Sequence, residues 1–303
     1  MAEMPFGLRS RYNWKLRTRS LALGERSVVM GVLNTTPDSF SDGGAFSTPA
    51  AGIDFALAMF EEGADIVDIG GESTRPGKRR PVTVQEEIDR VIPVVEGVLH
   101  HRPNAILSID TYKGQTAAAA LAAGVEIVND VSGFLWDEEM SKVCVAARCG
   151  VVLMHTRGRP EEWRTLPPLP QKEVVPLVMQ GLQKRLQGAL DGGVERERIV
   201  LDPGFGFGII LEQNYALLAG LEELGSLGQP VLAGVSRKAF LGRALSQLNR
   251  GVDVPVGRRE NASLAAVTAA LLAGAHLVRV HDVRSSREAA VIADAILAAG
   301  AGG

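Results

Sequence analysis

Residues able to bind or move charge recur at one kind of place in this sequence, the end of a short apolar run. They are Asn34; Glu72, Ser73 and Thr74; Asp110; Asn129 and Asp130; His155; Asp202; Ser236, Arg237 and Lys238; and Arg279 with His281. Carboxylate and amide oxygens accept hydrogen bonds, amide and cationic nitrogens donate them, and contacts to a charged partner are the stronger ones. Arg279 and His281 are two apart, so on a strand they point the same way. No Ser-His-Asp or Cys-His set stands out.

The elements that must carry these residues follow from the runs themselves. They are Val28 to Leu33, Ile66 to Ile69, Ala105 to Ile109, Val125 to Val128, Val151 to Met154, Ile199 to Leu201, Val231 to Val235 and Leu277 to Val280. Each is too short for a helix, and each gap holds a helix-like stretch, the pattern of parallel strands joined by crossovers. Eight such units predict a (β/α)8 TIM barrel, in which strand C-termini converge on the catalytic face. Helices are predicted near 49–62, 83–99, 112–123, 137–148, 171–191, 212–224, 259–273 and 285–299. Residues 1–27 form a separate extension, with a hairpin around Asn13 to Leu23 closing the bottom of a single barrel domain over 28–300. Two polar connections, Thr35 to Thr48 and Gly70 to Pro81, exceed what a barrel needs and suit substrate clamps.

Composition agrees. At 303 residues, with 46% hydrophobic but only 5% aromatic residues, the core is built from Val, Ile, Leu and Ala, as layered barrel interiors are. A net charge of -3 gives no basic field for nucleic acid. No run is long and apolar enough for a membrane span, and no signal-like apolar segment follows the basic residues near the start. Cys144 and Cys149 lack histidines at ligand spacing and read as buried thiols. A cytoplasmic enzyme is the expectation.

The motifs at the strand ends carry a resemblance. The stretch from Met30 through Asn34, Thr35, Thr36, Pro37, Asp38 and Ser39 to Gly44, and that from Asp68 through Glu72, Ser73, Thr74, Arg75 and Pro76 to Gly77, resemble the two signatures of dihydropteroate synthases. Ser108 to Thr111, Val128 to Asp130, Leu153 to His155, Asp202 to Gly208, Ser236 to Lys238 and Arg279 to Asp282 continue the match in order along nearly the whole chain. The resemblance implies a magnesium-dependent transferase of folate synthesis. It joins 6-hydroxymethyl-7,8-dihydropterin diphosphate to p-aminobenzoate, gives 7,8-dihydropteroate and diphosphate, and is a sulfonamide target.

It also implies roles. Asp110, Asn129 and Asp202 would accept the pterin N–H groups, with Lys238, Met154 and Phe207 completing that pocket; Phe207 reads almost as well as a packing residue. Asn34, Arg279 and His281 would hold the diphosphate, with Asn34 the metal ligand, since Mg2+ binds through few protein groups plus phosphate and water. Alone, His281 would read as a core-edge histidine; Arg279 and Asp282 beside it reverse that. Thr74, Arg75, Pro76, Phe207, Ser236 and Lys238 would hold p-aminobenzoate, and Asp38, Arg75 and Lys238 would act in a dissociative substitution that needs positioning more than a nucleophile. Two departures stand out: Ile209 where many members carry Lys, and a more basic loop with Arg157 and Arg159. Ile209 keeps open a non-catalytic pterin-binding paralogue. A pterin-dependent methyltransferase is the third reading, disfavoured by the two long loops and by Ser236, Arg237 and Lys238. The family resemblance further implies a homodimer through the last helices, with Ala265, Ala266, Ala269 and Ala270 suited equally to packing on the barrel.

Overall fold

The computed structural model describes residues 8–35, 48–72, 81–163 and 165–300. The first two strands, β1 (Tyr12–Lys15) and β2 (Ser20–Leu23), form an antiparallel hairpin in which Tyr12 faces Leu23 and Lys15 faces Ser20. There follow β3 (Val28–Asn34), α1 (Pro49–Glu61), β4 (Ile66–Gly70), α2 (Val84–His101), β5 (Leu107–Asp110), α3 (Gly114–Ala122), β6 (Ile127–Asp130), α4 (Glu139–Ala147) and β7 (Gly150–Met154). The chain continues through α5 (Gln171–Asp191), β8 (Ile199–Asp202), α6 (Gln213–Ala219), β9 (Leu232–Ala233), α7 (Ala239–Ala244), α8 (Glu260–Leu272), β10 (Leu277–Val280) and α9 (Val283–Gly300). Strands β3 to β10 form one parallel sheet in the order β8-β7-β6-β5-β4-β3-β10-β9, and a parallel bridge from Leu201 to Val231 brings its two ends together. This is the expected TIM barrel.

Local chemistry starts the helices where the sequence places them. Pro49 opens α1 behind the Thr48 side chain, and at α2 Thr83 and Glu86 form a reciprocal capping box. Two elements differ from expectation. The run Val231 to Val235 keeps only two strand residues, because Pro230 has no N–H to donate at one end and Gly234 weakens the other. The helix expected over 212–224 breaks at Gly220 into α6 and a 3-10 turn over Leu221–Leu227; a Cβ at Gly220 would lie 2.8 Å from Val175 of α5, so glycine permits this close packing. Helix α7, six residues long, is too short to leave a periodic signal.

The inward positions of the barrel are layered. At the strand N-termini, Val28, Met30, Ile66, Ile127, Val152, Val200, Leu232 and Leu277 form an apolar floor closed from below by Trp14, Leu16 and Leu23 of the hairpin segment. Trp14 is 1% exposed and donates its indole N–H to the Arg198 carbonyl at 2.8 Å. Buried Arg9 ties this end to the last helix, donating to Ser27 Oγ and the Ala275 carbonyl and pairing with Asp294 of α9. Further up the same strands the interior turns polar.

Candidate active site

A cavity of about 380 Å³ opens at the strand C-termini, and its walls include Asn34, Asp110, Asn129, Met154, Asp202, Phe207, Ser236, Lys238, Arg279 and His281. Strands on every side of the barrel contribute, so residues up to 249 positions apart in the chain (32 to 281) meet at one mouth. Asp38, Thr74, Arg75 and Pro76 lie outside the described residues.

Three polar residues stand at or near strand ends on neighbouring and opposite parts of the mouth. Asp110 is the last residue of β5, Asn129 the third of β6 and Asp202 the last of β8. Asp202 accepts the Gly204 N–H with Oδ1 at 2.7 Å. Gly204 has φ +76°, and a Cβ there would sit 1.9 Å from the His155 carbonyl, so the tight turn after Asp202 requires glycine. Asp202 therefore both makes a turn and lines the cavity. Burial pushes the Asp202 carboxyl up to about 6 against the pull of the Gly204 N–H, Lys238 and Arg279. Asp110 rises to about 7, chiefly through burial; Arg279 opposes the shift and Asp68 adds to it.

Arg279 does more than wait for an anion. Its Nε donates to Asp68 Oδ2 at 2.7 Å and its Nη2 to Asp110 Oδ2 at 2.6 Å. The same Asp68 oxygen accepts the Asn129 amide at 2.9 Å. Asp68 was not among the site residues expected from sequence, although an acid in the middle of the apolar run Ile66–Gly70, at an inward-facing alternate position, was a legible signal. Next to Arg279, His281 Nδ1 lies 3.1 Å from Ser236 Oγ, and the His281 N–H donates to that hydroxyl at 3.3 Å. Ser236, expected with p-aminobenzoate, is thus joined to the residue expected with diphosphate.

Beside Asp202 the wall turns aromatic and basic. Lys238 Nζ sits 4.2 Å from the Phe207 ring centroid, and Trp163 meets that ring edge-on at 5.1 Å. Phe207 therefore lines the cavity beneath an ammonium group and at the same time packs against Trp163, so both sequence readings of it have a structural counterpart. Arg237, one of the polar strand-end residues, also lines the cavity, as do Trp163, Phe205 and Arg259, which were not expected. Arg259 donates to the Arg237 carbonyl at 3.0 Å, and its position at the start of α8, away from any strand end, left no signal. Arg237 has φ +58° and its N–H donates to Ser263 Oγ at 2.9 Å.

Glu72 forms the base of the second long connection. Its Oε2 accepts Lys113 Nζ at 2.6 Å and the Tyr112 hydroxyl at 3.0 Å, while Oε1 accepts the Val82 N–H at 3.3 Å. Lys113 also binds buried Glu87 at 2.8 Å. These contacts hold the residues on either side of 73–80.

Four strand-end or loop residues resolve differently from the barrel-rim pattern. His155 does not line the cavity: Met154 points inward, so strand alternation turns His155 outward, where a Cβ on Gly181 of α5 would lie 2.4 Å from its ring. Buried at 3% exposure, with Arg185 nearby, it is pushed down to about 3 and stays neutral. Ile209 is 2% exposed, packed in the core, and absent from the cavity lining. Arg157, half of the more basic loop, donates to the carbonyls of Gly208 and Pro167 at 3.1 and 3.2 Å and ties two rim loops together, while Arg159 lies 5.1 Å from the Trp136 ring. Among the described residues no group of three or more His, Cys, Asp or Glu converges as metal ligands.

A family model described as pterin binding enzyme matches residues 30–281. The dihydropteroate synthase of Clostridium beijerinckii is 38% identical over 284 residues, covering 93% of this chain and 99% of the relative. The Yersinia pestis dihydropteroate synthase, solved with a sulfonamide drug, superposes with TM-score 0.84 at 36% identity over 95% of this chain and 99% of that one. The Xanthomonas albilineans dihydropteroate synthase with 4-aminobenzoic acid gives TM-score 0.83 at 39% identity, with the same coverage.

Proposed function

The chain belongs to the pterin-binding enzymes and, within them, to the dihydropteroate synthases, and from that premise we propose how its barrel mouth divides the work. The family reaction breaks the bond between the pterin methylene and a diphosphate oxygen, forms a bond from that carbon to the p-aminobenzoate nitrogen, and releases diphosphate and the amine proton. Asp110, Asn129 and Asp202 present acceptors to the donor edge of the pterin. Phe207, with Lys238 above it, offers an aromatic face and a cation between the two substrates. Arg279, His281 and Asn34, at neighbouring ends of β10 and β3, receive the diphosphate.

Leaving-group departure ahead of amine attack puts a cation on an electron-rich dihydropterin, so the site must stabilise charge and keep water out. Asp38, Thr74, Arg75, Pro76 and Ser236 are proposed for the acceptor side of this step. The donor set fits Mg2+ delivered with the diphosphate: Asn34 offers one neutral oxygen at the mouth, and no carboxylate cluster competes for the ion among the described residues. When bound, the ion would offset charge building on the diphosphate.

The observation that carries this reading is the convergence of the pterin-side acceptors, the Lys238–Phe207 pair and the Arg279–His281 pair on one cavity. Incubation of the purified protein with the pterin diphosphate, Mg2+ and p-aminobenzoate should yield dihydropteroate, inhibited by sulfonamides in competition with p-aminobenzoate. Absence of product at micromolar enzyme, with pterin binding intact, would overturn it.

A homodimer is part of the proposal. On α8, Ala266 and Ala270 pack inward while Ala265 and Ala269 face out, and adjacent α9 exposes Val291, Ile292 and Ile296. Such a face suits a second copy, and I292E should shift the mass in light scattering to that of a monomer. A cytoplasmic location is proposed on two supports: among the described residues no helix is long and apolar enough to cross a membrane, and both cysteines are free and buried.

A further inference from the structure

Below the cavity, Asp68 makes contacts that the reaction does not by itself explain. It is 0% exposed, and strand alternation on β4 aims it at the barrel axis. Its Oδ2 accepts Arg279 Nε from β10 and Asn129 Nδ2 from β6, each two strands away in opposite directions around the barrel. Among the described residues, neither its second oxygen, Oδ1, nor Ser108 Oγ, on the register neighbour in β5, has a hydrogen-bond partner. A carboxylate at the barrel axis is tolerated when it is paired, and here the pairing partners are two residues of the cavity wall, Arg279 and Asn129.

Two consequences follow. Because the Asn129 amide nitrogen is engaged by Asp68, its carbonyl oxygen is turned the other way, as an acceptor. Without that anchor the amide could flip and present N–H groups to a ligand edge that is itself made of donors. Arg279, meanwhile, is shared between Asp68 and Asp110, so neither carboxylate has its charge fully to itself. Asp110 is faced by Arg279 and Asp68, with Glu87 of α2 and Asp130 of β6 adding further negative charge.

We propose that Asp68 is a positioning residue of the pterin site, fixing the acceptor face of Asn129 and dividing Arg279 between two carboxylates. The proposal rests on the pterin reading of the cavity. It makes Asp68 responsible for pterin discrimination without touching the ligand.

The test is calorimetric titration of wild type and D68N with 6-hydroxymethylpterin, which lacks phosphates that would titrate in the same range, from pH 5.5 to 8.5. D68N keeps the shape but can satisfy Arg279 and Asn129 only in part, so pterin affinity should fall about tenfold while KM for p-aminobenzoate changes less than about twofold. Removal of the Asp68 charge also leaves Arg279 to Asp110, so the acid limb of pterin binding should move to lower pH by about one unit. A purely structural role would lower the melting temperature and leave both the limb and the affinity ratio unmoved, overturning the proposal. The smaller D68S, which admits water, serves if D68N does not fold; failure of both to fold also overturns it. Absence of pterin binding by the wild type would instead sink the reading on which the proposal rests.

Discussion

The two ends of one barrel use the same strands in opposite ways. At the N-terminal end the inward side chains are Val28, Met30, Ile66, Ile127 and their neighbours, sealed by Trp14 of the hairpin. One step along the same alternation the inward side chains are Asp68, Asn129, Asp202 and Arg279. Backbone geometry is shared, so the difference lies in what each end can tolerate. An apolar, plugged floor supplies burial energy, and the mouth uses some of it to hold carboxylates that burial pushes toward neutrality. Stability and chemistry are thereby separated along one axis.

That separation can be broken by experiment. The largest effects belong to the mouth: D110A and K238A should each abolish measurable product, a loss of at least about 10³-fold in kcat/KM, while melting temperatures stay within a few degrees. Parallel loss of fold would show that the mouth also carries stability. At the other end, W14A should cost about 3–5 kcal/mol in denaturant unfolding with kcat unchanged at temperatures where the protein is folded. A fall in kcat matching the fall in stability would show that the hairpin does more than plug.

Acid sharpens the same contrast, because the ends titrate with opposite sign. His276, at the bottom, is held by the Val231 N–H on Nδ1 and the Ser10 carbonyl on Nε2, and burial pushes it down to about 4. A base depressed in the fold contributes stability that is present above its unfolded value near 6.5 and is lost as pH falls toward 4. Asp110, raised to about 7, does the reverse: it takes up a proton in the fold before it would in the unfolded chain, so its contribution improves as pH falls from about 7 toward 4. H276Q should therefore remove stability loss on the order of 3 kcal/mol between pH 6.5 and 4, measured as the difference in unfolding free energy from wild type. D110N should flatten the opposite slope. The smallest effect is expected at Ile209: since its side chain lies in the core, I209K should leave both KM values within about twofold, any cost showing in the melting temperature.

Local signals account for much that was legible. Strand alternation placed Arg279 and His281 on one face, and the polar ends of the apolar runs placed Asp110, Asn129, Asp202 and Lys238 around one cavity. The same logic failed at His155, because a strand end says that a residue is near the rim but parity decides whether it points in. It also passed over Asp68, which sits inside a run, and Arg259, which sits at a helix start. Neither residue occupies a strand end.

By itself the sequence determined the barrel, the catalytic face and the family chemistry, because period-two alternation, caps and strand-end motifs act over a few residues at a time. Only the tertiary structure decided which charges meet. Arg279 reaches Asp68 and Asp110 across separations of 211 and 169 residues, and Ser236 reaches His281 across 45. Those pairings, and the shifted acids that follow from them, exist only once the sheet closes, since burial and neighbouring charge are properties of the closed barrel and not of any segment of the chain.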